Sequence, residues 1–321
     1  MYTMNAGSSP VRRRDIVTPI GVYTISLHRE DLSALYPGMI RYTLSLSEGE
    51  RTVAVFRTNS YEYTPGMPID VEMAAIRAAD GWEDGLRTDP YRFIGRLERP
   101  GRPVCVPDVS AADVLIIQGS PRPDGNSSIL AGWAKEAALE CGRTVSVIFP
   151  DALEIHPCIG CYQCYNTGTC TFDDDMTGVL NAIRDAECIV LCTPVYTTTV
   201  PAGLKALIDR CQAFHADLAL FSGRTGSKTR GCLLAVAGRK GRENFTGTQE
   251  VARAFFGNLK ISLSGEILVG GMDEIQDVRR IQGLAERVQE AVRGIIIPDR
   301  PARFPKDYHD EDGPVQVPDD R

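Results

Sequence analysis

Between Gly119 and Ser128 the chain reads Gly-Ser-Pro-Arg-Pro-Asp-Gly-Asn-Ser-Ser and opens directly into a helical pattern. Backbone N–H groups at a helix N-terminus, hydroxyl and amide donors and one guanidinium together make an anion site. The loop carries neither the dinucleotide pattern G-x-G-x-x-G nor the Walker A pattern, so a single phosphate is its natural guest. The competing reading is a Ser/Asn-rich helix cap with no ligand.

A second concentration of chemistry is Cys158-Ile159-Gly160-Cys161-Tyr162-Gln163-Cys164, followed by Cys170 and by Asp173-Asp174-Asp175-Met176. The spacing C-x2-C-x2-C-x5-C lets these thiolates converge on one compact soft-metal centre. It is close to the ferredoxin run C-x2-C-x2-C-x3-C-P, with a longer last interval and no proline. Zinc fits less well, because its sites usually pair two distant C-x2-C knuckles. A metal-free packed loop remains open. Cys105, Cys141, Cys188, Cys192, Cys211 and Cys232 stand singly in apolar surroundings and read as core residues. His156 and His215 flank these loops, and neither is assigned a role.

A third loop, Thr193-Pro194-Val195-Tyr196-Thr197-Thr198-Thr199-Val200-Pro201, precedes Gly203-Leu204-Lys205-Ala206-Leu207-Ile208-Asp209-Arg210. Tyr196 and the loop backbone could lie along a flat heterocycle while the threonines bond its polar edge. Alone the signal is weak, since β-branched residues before a proline simply prefer extended backbone. A fourth loop, Ala237-Gly238-Arg239-Lys240-Gly241-Arg242, adds backbone and positive charge.

Positioning these loops requires an alternation of strands and helices. Apolar runs of buried-strand length occur at Val114–Gln118, Val145–Phe149, Cys188–Cys192, Cys232–Val236 and Ile261–Val269. Stripes at helical spacing separate them: Leu130, Trp133, Ala137; Met176, Val179, Leu180, Ile183; Leu204, Leu207, Ile208, Cys211; Val251, Ala254, Phe255. A last helix is expected from about Asp273 to Arg293, with Val278, Ile281, Leu284, Val288 and Val292 on one face. The pattern predicts α/β architecture with a five-stranded parallel sheet covered on both faces. Ligands of such sheets sit beyond the carboxyl ends of the strands, where all four loops stand.

The first hundred residues have a different texture. Residues 1–15 are polar and are expected as a flexible N-terminus; residues 16–103 read as a small β-rich α+β domain of unassigned role. Val22–Leu27, Arg41–Leu46 and Thr52–Phe56 are strand-like, the last two joined by the turn Ser47-Glu48-Gly49-Glu50. Ile69, Met73 and Ile76 suggest a short covering helix, and Tyr91–Leu97 a further strand. Arg99-Pro100-Gly101-Arg102-Pro103 breaks the pattern and marks the boundary, leaving 110–297 as the second domain and 298–321 as a Pro-rich acidic tail.

Composition bounds the function. The 321 residues carry 43% apolar and 24% charged side chains and a net charge of −7, which argues against a nucleic-acid or anionic-membrane surface. No apolar stretch approaches the roughly 18 residues of a membrane span, and the N-terminus has no apolar h-region. A cytoplasmic location is the default expectation, and in a reducing compartment clustered cysteines are ligands, redox groups or core more often than disulfides.

With both ligand loops in hand, residues 112–297 resemble the NADPH-dependent FMN reductase family of the flavodoxin-like fold. The family's phosphate loop, commonly G-S-P-R-x-x-G-N-S, matches Gly119–Ser127. Its flavin loop, commonly [ST]-P-V-Y followed by L-K-x-[FL]-I-D-R, matches Thr193–Tyr196 and Leu204–Arg210. The resemblance implies a flavodoxin-like, doubly wound domain that binds flavin mononucleotide (FMN). Ser120, Arg122, Asn126, Ser127 and the adjoining Ser128 would hold the phosphate. Pro194, Val195, Tyr196 and Thr197 would flank the isoalloxazine, with Ala237 and Gly238 approaching it by backbone. The cysteine run resembles the iron–sulfur flavoprotein branch, which implies Cys158, Cys161, Cys164 and Cys170 as ligands of a [4Fe–4S] cluster. Many flavodoxin-like relatives carry a similar segment before D-D-M and bind FMN alone. This chain departs from the family at Thr197-Thr198-Thr199 and in the basic fourth loop.

The expected function is therefore an FMN-dependent oxidoreductase passing electrons from NAD(P)H to a small-molecule or protein acceptor. Its alternative is an electron carrier charged by a partner protein. A homo-oligomer, dimer or tetramer, is expected, with no nucleic-acid or membrane partner.

Overall fold

A computed structural model describes residues 8–63, 67–97, 111–222 and 228–297. The expected boundary at 99–103, Cys105 and the acidic tail from Pro298 lie outside the described residues. The chain forms two compact units. The first comprises 1–103 together with 159–171 and 216–223; the second comprises 104–158, 172–215 and 224–321. Two short segments that the sequence places in the second region thus cluster with the first.

The first unit is built on an antiparallel sheet in the order β1 (Ser8–Thr18), β2 (Gly21–Asp31), β3 (Ile40–Glu48), β4 (Arg51–Asn59). Two helices follow, α1 (Val71–Thr88) and α2 (Pro90–Leu97). The alternation Tyr23, Ile25, Leu27 and Tyr42, Leu44, Leu46 turns one sheet face into a core with Ala75, Ala79, Leu86 and Ile94. Residues 8–15, expected as a loose terminus, instead pair along β2, from Ser8 opposite Glu30 to Asp15 opposite Thr24. An edge strand with only Ile16 buried has no apolar alternation to reveal it. Tyr91–Leu97, expected as a strand, is helical: Pro90 suits the first helical position, and the Asp89 side chain accepts the Arg92 N–H at 3.0 Å. In α1 the covering face is Ala75, Ala79 and Leu86, whereas Met73 is exposed.

In the second unit five parallel strands run in the order β6-β5-β7-β8-β9: β5 (Val114–Gln118), β6 (Val145–Ile148), β7 (Cys188–Pro194), β8 (Arg230–Val236), β9 (Ser262–Val269). This is the flavodoxin-like order, whose reversal between β5 and β7 opens a crevice at the carboxyl edge. Val114, Ile116, Val190, Cys192, Leu234 and Ile267 face α3 (Asn126–Glu140) and the C-terminal helix α10 (Leu284–Ile296). The alternate set, Leu115, Ile117, Ile189, Leu191 and Leu233, is equally buried, so the sheet is covered on both sides.

Between these elements lie α4 (Cys164–Thr167, which belongs to the first unit), α5 (Met176–Asp185), α6 (Ala202–Arg210), α7 (Gln212–Leu220), α8 (Thr246–Asn258) and α9 (Met272–Ile275). The helix expected over Asp273–Arg293 is divided. α9 ends at Ile275, a single 3₁₀ turn spans Val278–Arg280, and Gly283 at φ +73° caps α10. Only glycine takes that left-handed conformation without strain. No helix among the described residues is long and apolar enough to cross a membrane.

Candidate cofactor site

The loop Gly119–Gly125 links the buried β5 to α3 and is ordered by its own polar groups. Gln118, the fully buried last residue of β5, accepts the Ser120 N–H at 2.5 Å and donates through Nε2 to the Ser128 hydroxyl. Ser128 Oγ in turn donates to the Arg122 carbonyl at 2.9 Å, and the Ser120 hydroxyl accepts the Arg122 N–H at 3.1 Å. The loop is thereby closed into a ring that opens toward the N-terminus of α3. Gly125 is the N-cap there and supplies no side-chain cap to the first turn. A helix start left open in this way favours an anion. Ser120 and Ser127 are buried beside it, and the Arg122 side chain is exposed.

Gly119 is required for close approach, because a Cβ at this position would overlap the Leu204 side chain of α6. Gln118 escaped the sequence reading, although a lone Gln closing an apolar strand before a polar loop was a usable signal.

Asn126 has a different engagement. Its Oδ1 accepts the Val278 N–H and its Nδ2 donates to the Gln276 carbonyl, both at 3.0 Å. The amide thus ties the start of α3 to the segment after α9 and keeps at most one N–H for a ligand.

In the third loop, Val195 N–H bonds the Val236 carbonyl at 2.7 Å, fixing the loop to the end of β8. Tyr196 and Thr199 then exchange both backbone bonds, at 2.8 and 3.0 Å, around Thr197 and Thr198. Both central residues are left-handed, with φ of 45° and 66°. A two-residue turn of this hand normally takes Asn-Gly, and β-branched residues there are strained. Such strain persists only where the surroundings over-determine it. Here the Thr198 carbonyl presses on Gly247 in the first turn of α8, where a Cβ would not fit. Tyr196, Thr197 and Thr198 are exposed.

The fourth loop is clamped by a ladder of backbone bonds. Ala237 N–H reaches Val269 O at 2.9 Å, Met272 N–H reaches Ala237 O at 3.1 Å, and Asp273 N–H reaches Gly238 O at 2.9 Å. A Cβ on Gly238 would collide with the Asp273 carboxylate. Lys240 pairs with Glu274 at 2.8 Å, which neutralises part of the basic stretch.

The cysteine-bearing stretch begins and ends in the second unit. His156 and Phe172, which flank it, are joined by a buried ion pair. Arg210 donates to Asp174 from both terminal nitrogens, at 2.6 and 2.8 Å, and to the His156 carbonyl at 2.7 Å. Asp174 also accepts the His156 and Met176 N–H groups. The Phe172 ring lies under the guanidinium and stacks on His156. Burial pushes the Asp174 carboxyl up, but the Arg210 hydrogen bonds and backbone donors outweigh it and leave its pKa below the ordinary value.

Cys158 is exposed, and Cys161, Cys164 and Cys170 are half-buried. Among the described residues no three Cys, His, Asp or Glu side chains converge to hold a metal ion. As they stand, the thiols do not fit a four-thiolate centre. Cys188, Cys192, Cys211 and Cys232 are buried core residues, as their apolar surroundings suggested. Burial pushes the Cys188 thiol up to about 11 and that of Cys232 to about 12, so neither is reactive at neutral pH.

Residues 112–268 match the family model described as NADPH-dependent FMN reductase. An iron–sulfur flavoprotein of Methanocaldococcus jannaschii is 35% identical over 133 residues, covering 41% of this chain and 66% of that protein. Another, from Methanosarcina thermophila, is 39% identical over 94 residues, 29% of this chain and 49% of its own. The chain thus spans about half to two thirds of these curated relatives. A solved NAD(P)H:quinone oxidoreductase from Methanothermobacter marburgensis aligns with a TM-score of 0.43 at 19% identity, over 59% of this chain and 98% of its own. The domain that contains residues 112–268 thus matches the NADPH-dependent FMN reductase family, and the curated relatives similar to it include iron–sulfur flavoproteins.

Proposed function

We propose that the protein is an FMN-dependent oxidoreductase that takes electrons from NAD(P)H and delivers them to a small-molecule or protein acceptor. The observation that carries this reading is the open N-terminus of α3, ringed by Ser120, Arg122 and Ser127 at the carboxyl edge of the parallel sheet. The donor set fits a dianionic phosphate: a helix start, hydroxyls and one guanidinium.

In this proposal Ser120, Arg122, Ser127, Ser128 and the remaining N–H of Asn126 hold the FMN phosphate. Pro194, Val195, Tyr196 and Thr197 border the ring on one side, and the Ala237-Gly238 backbone meets its polar edge. Bound FMN supplies two-electron uptake and one- or two-electron release. The chain's own residues contribute position: the closed phosphate loop, the pinned third loop and the clamped fourth loop bring a flat heterocycle to a fixed place. The family name and the relatives' flavoprotein names support the reading.

Stopped-flow mixing of the oxidised holoprotein with NADPH, and separately NADH, under argon tests it. Bleaching of the flavin band within seconds is expected. A flavin that ignores both nucleotides would replace the enzyme with a carrier charged by another protein.

A [4Fe–4S] centre on Cys158, Cys161, Cys164 and Cys170 is the finer half of the proposal. It is supported by the C-x2-C-x2-C-x5-C spacing and by the relatives' names. Among the described residues the thiols as they stand do not converge. Iron and acid-labile sulfide per flavin, in protein purified without oxygen, decide it. With a cluster, Cys161→Ser abolishes the iron and leaves FMN bound; without one, the wild-type protein contains flavin alone, even after anaerobic reconstitution.

A further inference from the structure

The segment Ile159–Thr171, which carries Cys161, Cys164 and Cys170, belongs to the first compact unit although it lies far along the chain. The bonds that hold it there are specific. Glu62 Oε1 accepts from Asn166 Nδ2 at 2.6 Å and from the Asn59 N–H at 2.7 Å, while Oε2 accepts from Gln163 Nε2 at 2.7 Å. Asn59 Nδ2 donates to Asn166 Oδ1 at 3.0 Å, so both ends of the buried Asn166 amide are read by partners from the N-terminal hundred residues.

The segment's backbone is held as well. Arg57 donates to the Asn166 carbonyl at 3.1 Å and Arg41 to the Tyr165 carbonyl at 3.0 Å. Arg41 is itself buried and anchored on Glu30 at 2.9 and 3.2 Å. Tyr162 meets the Tyr61 ring edge-on, Tyr165 meets Tyr36, and Tyr165 closes a small apolar cluster with Leu32, Met39 and Ala216. The backbone inside the segment is correspondingly shaped, with Tyr162 at φ +57°. A non-glycine residue in that region persists only where neighbours impose it.

We propose that Glu62 is the positioning residue of the cysteine-bearing segment, and that the N-terminal unit is its seat. The N-terminal part of that unit, which precedes the family region 112–268, sets the conformation from which Cys161, Cys164 and Cys170 meet any ligand or oxidant. Glu62 and Asn59 cap their own 3₁₀ turn and at the same time bond the segment through Asn166 and Gln163, which is what a seat requires and a freely attached accessory domain does not. The inference is independent of the flavin reading, since it concerns the segment alone.

The test is alkylation of each cysteine by iodoacetamide in the full-length holoprotein, timed and resolved by mass spectrometry. In Glu62→Ala, Cys161, Cys164 and Cys170 are expected to react about tenfold faster, because local opening no longer breaks these hydrogen bonds. Cys188, Cys192, Cys211 and Cys232 keep their wild-type rates, and flavin content is unchanged. In Glu62→Gln the amide oxygen keeps the Asn166 and Asn59 bonds and the Gln163 amide can turn over to accept from the new NH2 group, so most of the wild-type protection returns. The milder Gln163→Ala shows a smaller increase at the same three thiols. Rates that stay the same in both Glu62→Ala and Gln163→Ala overturn the proposal. So does uniform acceleration of all thiols, or failure of Glu62→Gln to recover protection.

Discussion

Asp174 and Arg210 form a two-pronged ion pair, 2.6 and 2.8 Å between heavy atoms, with both side chains about 1% exposed. Asp174 follows the cysteine stretch and Arg210 closes α6, so one pair joins the second and third connections of the second unit.

Removing the Asp174 charge leaves the buried Arg210 guanidinium without its counter-charge. Asp174→Asn should therefore cost about 3–5 kcal/mol in urea or guanidinium unfolding. The sign of its pH dependence follows from the lowered pKa. The stabilisation is present above the unfolded value near 3.8 and is lost as pH falls through the lower folded value. The acid limb of the wild-type stability profile should flatten in Asp174→Asn; an unchanged limb would assign acid unfolding to other carboxylates.

Arg122→Ala should weaken FMN binding by about 1.5–3 kcal/mol, the usual worth of a hydrogen bond to a charged group. Calorimetric titration of the apoprotein measures it. Equal affinity in both proteins would place the phosphate elsewhere.

Gly119→Ala puts a methyl group into Leu204. Overpacking at such a contact costs roughly 1–3 kcal/mol. The double variant with Leu204→Ala should recover part of the loss, because the second change makes room for the first. Thermal unfolding of the single and double variants reads the coupling directly, and simple additivity would show that the contact is not what makes the glycine necessary.

A chain beginning near Pro107 keeps every loop of the proposed flavin site, and it should still bind FMN. It also strips Tyr165 and Asn166 of Tyr36, Asn59 and Glu62. Limited proteolysis should then cut within 159–171 and 216–223 while the rest resists. Flavin-free material would show that the N-terminal unit completes the pocket.

How much of this was legible depends on the range of the interaction. The strands β5 and β7 were readable nearly to the residue, because a parallel strand buried on both faces is a continuous apolar run. The edge strand β1 was hidden by Arg12, Arg13 and Arg14, which suit an exposed edge but look like a tail. Tyr91–Leu97 has strand composition, and the Asp89 cap and Pro90 outweigh it. The phosphate loop was legible as a motif, yet the tie from Asn126 to Gln276 and Val278 was not, since nothing local marks a partner some 150 residues away. Glu62 gave no signal for the same reason.

The seat for Tyr165 and Asn166 also fixes an order of events during synthesis. Arg41 emerges from the ribosome 124 residues before the Tyr165 carbonyl that it will bond, and Glu62 emerges 104 residues before Asn166. At elongation rates of about 5–20 residues per second, the N-terminal sheet waits roughly 5–25 s with this face unfilled. Over that interval a nascent chain can pair β1 to β4 and cover them with α1 and α2, but it cannot finish the unit it started. The first unit to begin folding is therefore completed only after the second is well under way.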